Sequence, residues 1–234
     1  MLHTTGTNPE IPILFEDNHL LIVCKPVNLL SQADHTGDTD LLTLCKLYLK
    51  KKHQKPGKVY LGLVHRLDRP VGGVMALAKT SKAASRLSEQ IRERTFYKRY
   101  LLVAEGKTPI NGVFVHYLLK DQNTNHVTSV SPRERKAKKA ELGYQRIDYN
   151  EELNLSLVKV NLITGRPHQI RVQFATEGYP LLGDRKYGTD KSAPESPALY
   201  ASEICFRHPV LGEMKTYSTL PPDIKPWKYF NMYK

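Results

Sequence analysis

Two short apolar stretches open the chain, residues 13–15 and 19–24, on either side of Glu16-Asp17-Asn18. Runs of that length around turn chemistry predict a β-hairpin. Lys25-Pro26 ends the second strand, because proline cannot donate to a ladder. Leu41, Leu42, Leu44, Cys45 and Leu49 keep roughly helical spacing up to the basic exit Lys50-Lys51-Lys52-His53, and Pro56-Gly57 marks a loop. Residues 74–78 are uniformly apolar and predict a short buried strand. Ala83, Ala84, Leu87 and Ile91 then form one face of a helix that starts near Ser81, the expected N-cap, with Arg86, Arg92 and Arg94 off that stripe. Residues 96–104 are aromatic and β-branched enough for a strand closed by Glu105-Gly106.

In the second half, residues 131–140 are polar and strongly basic, which predicts a mobile loop or the approach to a strand, and a possible divide between two halves of one domain. Residues 142–149 and 153–162 flank Asn150-Glu151-Glu152 as a second hairpin. Residues 167–177 predict a short helix with Pro167 in its first turn and Gly178 beyond its end. Residues 183–197, rich in Gly, Asp, Ser and Pro, predict a loop, and 199–206 and 214–220 closing strands. Strands outnumber helices and pair as hairpins, so the expected class is α+β with a mixed, largely antiparallel sheet and flanking helices, in a single domain over residues 1–234.

Composition narrows the function classes. With 234 residues, 40% hydrophobic and 25% charged, the chain is neither fibrous nor disordered. Its longest apolar runs, such as 20–24 and 74–78, are five residues, too short to cross a bilayer as helices. The start Met1-Leu2-His3-Thr4-Thr5-Gly6 has neither the basic nor the apolar part of a secretory signal, so the expected compartment is the cytoplasm. Cys24, Cys45 and Cys205 are widely spaced, which argues against a disulfide framework or a cysteine zinc site. Thirty-five Lys and Arg against 23 Asp and Glu give a net charge of +12, a surplus that favours an anionic partner, most often nucleic acid.

Three clusters carry candidate chemistry. In His65-Arg66-Leu67-Asp68-Arg69, ahead of Gly72-Gly73, the aspartate lies between two arginines that favour its charged form. From these residues alone, a structural salt-bridge network explains it better than an active carboxylate does. In Thr164-Gly165-Arg166-Pro167-His168-Gln169-Ile170-Arg171, two arginines and the N–H groups of a helix start suit a phosphate or carboxylate, or form a solvated surface helix. Phe96-Tyr97-Lys98-Arg99-Tyr100 interleaves aromatics with cations, either to stack a base and hold its phosphate or as one core face and one wet face of a sheet. Arginines crowd the histidines, so no metal site is expected, and GxxxxGK[ST] and GxSxG motifs are absent.

Together these segments resemble the RluA-type pseudouridine synthases. "FEDNHLLIVCKP" is similar to the family's opening strand pair, "HRLDRPVGGVMALAK" to its HRLDxxTSGxxxxAK signature, and "FYKRYLLVAEG" to its KxYxAxVxG strand. "LITGRPHQIRVQFATEGYPLLGDRKYG" follows TGRxHQIRVH...GxPxxGDxxYG, and "LYASEICFRHPVLGE" resembles the segment bearing HPxxG. The resemblance implies a catalytic domain with a central cleft that isomerises uridine in ribosomal or transfer RNA without a cofactor. It implies Asp68 as nucleophile, Tyr100 as the tyrosine packed on the uracil, and Arg171 as the basic partner of the aspartate. Arg66, Arg69, Arg166, His168 and Lys98 are the expected RNA contacts. The protein is expected to act as a monomer, without metal or membrane, and without the N-terminal S4-like domain of many relatives. Val71-Gly72 replaces the family's Thr-Ser, and Gln173 and Tyr200 stand where histidines are common. Two other readings compete: an RNA-binding or RNA-folding factor of this fold without turnover, and a phosphodiester-cleaving enzyme using His65 and His168 as acid and base.

Overall fold

The hairpin expected at residues 13–24 forms from strands β1 (Ile13–Glu16) and β2 (Leu20–Lys25), paired antiparallel. The computed structural model describes residues 10–189 and 196–232. The start of the chain and positions 190–195 of the expected 183–197 loop lie outside the described residues. Helix α1 (Leu41–Lys52), the two-residue strand β3 (Gly62–Leu63), β4 (Gly72–Ala78) and α2 (Ser81–Arg92) follow. Next come β5 (Tyr97–Glu105), β6 (Asn111–Lys120), β7 (Val127–Val130), β8 (Lys138–Asn150) and β9 (Leu155–Leu162). Helix α3 (Gln169–Thr176), β10 (Leu199–Arg207) and β11 (Met214–Ser218) complete the order, before a 3-10 turn at Trp227–Tyr229.

Among the described residues the strands form one sheet in the order β1-β2-β4-β10-β5-β9-β8-β6-β7, with β3 added to β4 and β11 to β10. Among the described strands every ladder is antiparallel except β4 with β10, so the sheet is mixed and largely antiparallel, as expected. That parallel pair joins the two hairpin-built sides, and Gly73 makes it possible. Its φ of 123° belongs to a region L side chains rarely adopt, and a Cβ there would run into the Ala201 carbonyl.

β2 and β4 are continuous apolar runs because both of their faces are covered. Leu20, Ile22, Val74 and Ala76 pack with Ala83 and Leu87 of α2, while Leu21, Val23, Met75 and Leu77 pack with Leu41 and Leu49 of α1. Burying each of the larger of these side chains is worth about 1.5–3 kcal/mol.

Several expectations shift in detail. Thr80, not Ser81, caps α2, its hydroxyl accepting the Ala83 N–H at 3.2 Å. Pro167 precedes α3 instead of lying in its first turn. His168 is the N-cap, in the left-handed region at φ 51°, and the Gln169 side chain accepts the Arg166 N–H at 3.0 Å. The basic stretch 131–140 is a turn followed by the first residues of β8, and the sheet runs on across it. β6 and β7, which the apolar pattern does not announce, carry the sheet to its far edge.

Candidate active site

Asp68 sits in the irregular segment that leads into β4, and its backbone is fixed from two sides. The Ser31 hydroxyl donates to the Leu67 carbonyl at 2.7 Å and accepts the Leu67 N–H at 3.2 Å. The fully buried Lys25 ammonium donates to the carbonyls of Pro26 (2.9 Å), Leu29 (2.6 Å) and Arg69 (3.0 Å). Burial lowers this amine to about 7, against the pull of the Asp68 charge. Lys25 therefore ties the end of β2 to the residue following Asp68. The Asp68 carboxylate itself is 31% exposed, open to a cavity of about 850 Å³.

Arg171 faces it from α3, with Nη1 3.6 Å from Asp68 Oδ2. All but its last two residues are buried in this helix, so the guanidinium needs a nearby countercharge. Asp184 supplies one: Arg171 Nε and Nη2 each donate to a different oxygen of that carboxylate at 2.7 Å. Burial alone would raise the Asp184 carboxyl, but the hydrogen bonds from Arg171 and from the N–H groups of Tyr187 and Lys186 hold it below the usual carboxylate range. The result is a guanidinium clamped in orientation with its remaining nitrogen toward Asp68. The Tyr187 ring lies 5.0 Å from the Arg171 guanidinium carbon, and its hydroxyl accepts the Val127 N–H and bonds His168 Nδ1 at 2.6 Å.

Tyr100, on β5, is 7% exposed and walls the same cavity. Burial, reinforced by the Asp68 charge, pushes its hydroxyl above the usual phenol range, so it stays protonated. The ring is a flat apolar surface beside the carboxylate.

All eight residues singled out in the sequence line this cavity: Asp68, Tyr100, Arg171, Arg66, Arg69, Arg166, His168 and Lys98. The electrostatic reading of the HRLDR cluster needs correction, however. Arg69 turns away to pair with Asp38 at 2.7 Å and to donate to the Asn28 carbonyl, and Arg66 is exposed at the rim. The cation that meets Asp68 comes from a helix a hundred residues away. Arg166 is partly anchored through Nε to the Lys139 carbonyl at 3.0 Å. His65 Nε2 accepts the Ala76 N–H at 3.0 Å and burial lowers the ring to about 3, which removes it as an acid–base group. Burial likewise holds the His168 ring below the usual imidazole range.

The departures from the family pattern have physical reasons here. Gly72 stands in register with Tyr200 on β10, and a Cβ at position 72 would lie 3.3 Å from the Tyr200 ring and 3.0 Å from Val27. A large side chain at 200 and none at 72 therefore go together. Gln173 is fully buried, donating to the Phe114 carbonyl (3.2 Å) and bonding His116 Nδ1 (3.1 Å) while accepting from Gln169 (2.9 Å). It locks α3 to β6 and does not reach the cavity wall.

Sequence reasoning missed Lys25, Asp184 and Tyr187 as parts of this site. Asp184 and Tyr187 lie in a segment whose composition reads as loop. Their signal is an aspartate followed two and three residues on by N–H groups that its own side chain accepts. Among the described residues no group of three His, Cys, Asp or Glu side chains could hold a metal ion, and no helix is long and apolar enough to cross a membrane.

Residues 19–176 match the family model for RNA pseudouridylate synthase. The uncharacterized RNA pseudouridine synthase YhcT of Bacillus subtilis is 33% identical over 92% of this chain and 70% of its own length. Ribosomal large subunit pseudouridine synthase C of Buchnera aphidicola is 34% identical over 94% of this chain and 69% of its own. Among solved structures, human RNA pseudouridylate synthase domain containing 4 superposes with a TM-score of 0.75 at 25% identity, covering 90% of this chain and 88% of that one.

Proposed function

Because the chain belongs to the RNA pseudouridylate synthase family, whose activity is the isomerisation of uridine to pseudouridine in RNA, we propose that Asp68 is its nucleophile. One observation carries this reading: the Asp68 carboxylate is open to a cavity while Arg171, itself held by Asp184, faces it at 3.6 Å. Pseudouridine forms when the bond between the ribose anomeric carbon and uracil N1 breaks, the base turns, and a new bond joins that carbon to C5, which gives up its proton. N1 takes up a proton as C5 loses its own to solvent, so atoms and electrons balance. A carboxylate serves as a covalent nucleophile in such chemistry. Asp68 acts first, on base or sugar or by taking a sugar proton; Arg171 orients it from 3.6 Å. Tyr100 offers its ring to the detached uracil during rotation.

The target nucleotide must leave its stack to enter the cavity. Arg66, Arg69, Arg166, His168 and Lys98 line the walls where the flanking backbone passes and serve as its contacts. Several relatives, the Buchnera aphidicola protein among them, are named as ribosomal large subunit pseudouridine synthases, which favours ribosomal over transfer RNA as the substrate and the cytoplasm as the place of action. Incubating the protein with RNA carrying tritium at uridine C5 tests the reading. Tritium is released and the RNA keeps its length on a denaturing gel. Binding without release would instead identify a factor lacking turnover, and shortened chains a phosphodiester-cleaving enzyme. Mapping pseudouridines in cellular RNA with and without the gene identifies the position.

A further inference from the structure

A second groove, of about 340 Å³, opens off the cavity between the start of β5 and the end of β9. The two spaces share Arg94, Phe96, Lys98, Leu162 and Ile163. The groove walls carry three cations, Arg94, Lys98 and Arg99, and no carboxylate. Arg99 is occupied by Glu203 and by Asn161. Arg94 is exposed just past the end of α2, in the left-handed region at φ 61°. Its charge is felt by Glu141, but that carboxylate is already paired with Lys139 at 2.9 Å. The Lys98 ammonium makes no hydrogen bond or ion pair with any described residue, although its backbone is paired in the β5–β10 ladder. Burial lowers its amine below the usual lysine range. Its ammonium lies where Gly165 has no side chain: a Cβ there would come within 3.2 Å of Lys98 Nζ.

A desolvated ammonium without a countercharge is costly, and here the space around it is kept clear and flanked by another cation. That combination fits a site whose anion arrives with the ligand. A phosphodiester has the required charge, and the groove is continuous with the cavity that takes the nucleoside. We propose that Lys98 and Arg94 form a notch that grips the phosphodiester backbone of the RNA strand beside the target uridine, and that this strand leaves the cavity along the β5–β9 groove. The exposed ring of Tyr97, on the groove wall, is placed to stack a base of that strand. The inference rests on the reading of the cavity as the uridine site.

Arg94→Ala and Lys98→Met test it against wild type. Arg94 is exposed, so its removal leaves the fold intact, and a thermal melt monitors Lys98→Met. Binding of a short fluorescein-labelled oligouridylate is measured across a salt series, and tritium release from C5-labelled RNA is measured separately. Each variant is expected to bind the oligouridylate about three- to tenfold more weakly, with the log–log salt slope reduced by about 0.7, the value for one phosphate of a single strand. KM for RNA rises while kcat stays within about twofold, the pattern of lost uniform binding. An unchanged salt slope in both variants overturns the notch, as does a fall in kcat alone, which would make Lys98 a support for Tyr100. Absence of tritium release by wild type overturns the functional reading instead, and the slope measurement is independent of it.

Discussion

Arg171 engages Asp184 with two nitrogens at 2.7 Å and turns the third toward Asp68 at 3.6 Å, so one carboxylate holds the guanidinium in place to face the other. Arg171→Lys keeps the charge but loses the planar fork. Its kcat for tritium release is expected to fall about tenfold or more with RNA affinity within a few-fold, as for an interaction that matters after binding. A defect confined to binding would make Arg171 a phosphate contact. Asp184 also carries a pH signature. Its folded carboxyl lies below the ordinary range, so the unfolded chain takes up the proton first. The stabilisation is complete above the unfolded value, about pH 4, and is lost as pH falls through the folded one. In urea titrations Asp184→Asn should be less stable than wild type at pH 7, with the gap narrowing below about pH 4. A constant gap would contradict the linkage. At this scale the sequence names Asp68, Tyr100 and Arg171 but misassigns the neighbours of Asp68. Adjacent residues in an irregular segment point apart, and Arg69 finds Asp38 instead.

The elements most legible in the sequence are those whose two faces differ cleanly or are both buried: the β1–β2 and β8–β9 hairpins, β4, and the apolar stripe of α2. β6 escapes because Val113 and Val115 are exposed while Phe114 and Leu118 are buried, which leaves no alternation of apolar and polar residues to read. α3 is legible as a helix but not in its start, since Gln169 and a left-handed His168 replace the usual side-chain cap. The α2 cap is ordinary by comparison. Thr80→Ala is expected to cost about 1 kcal/mol, read as a lower urea midpoint at unchanged slope. No loss of stability would mean that the Thr80 hydroxyl is replaced by water without penalty. Lys25 belongs to this scale too, because it joins the end of β2 to the Asp68 segment. Lys25→Met should lower stability and kcat together, since the three carbonyls it serves lose their donor.

Across the whole molecule, three residues far apart in the chain meet because β4 and β5 both flank β10 and α3 closes over the same space. No local motif encodes that meeting; it follows from the parallel β4–β10 pair at the middle of an otherwise antiparallel sheet. The net charge of +12 acts at the same scale. RNA affinity is expected to fall with salt at a log–log slope of about −0.7 per phosphate neutralised for a single strand, and a flat response would contradict a cationic cleft. The most direct test of the account is tritium release from C5-labelled uridine RNA by Asp68→Asn, with RNA binding measured on the same preparation. Release is expected to vanish while affinity stays within a few-fold of wild type; release at the wild-type rate would contradict Asp68 as the nucleophile.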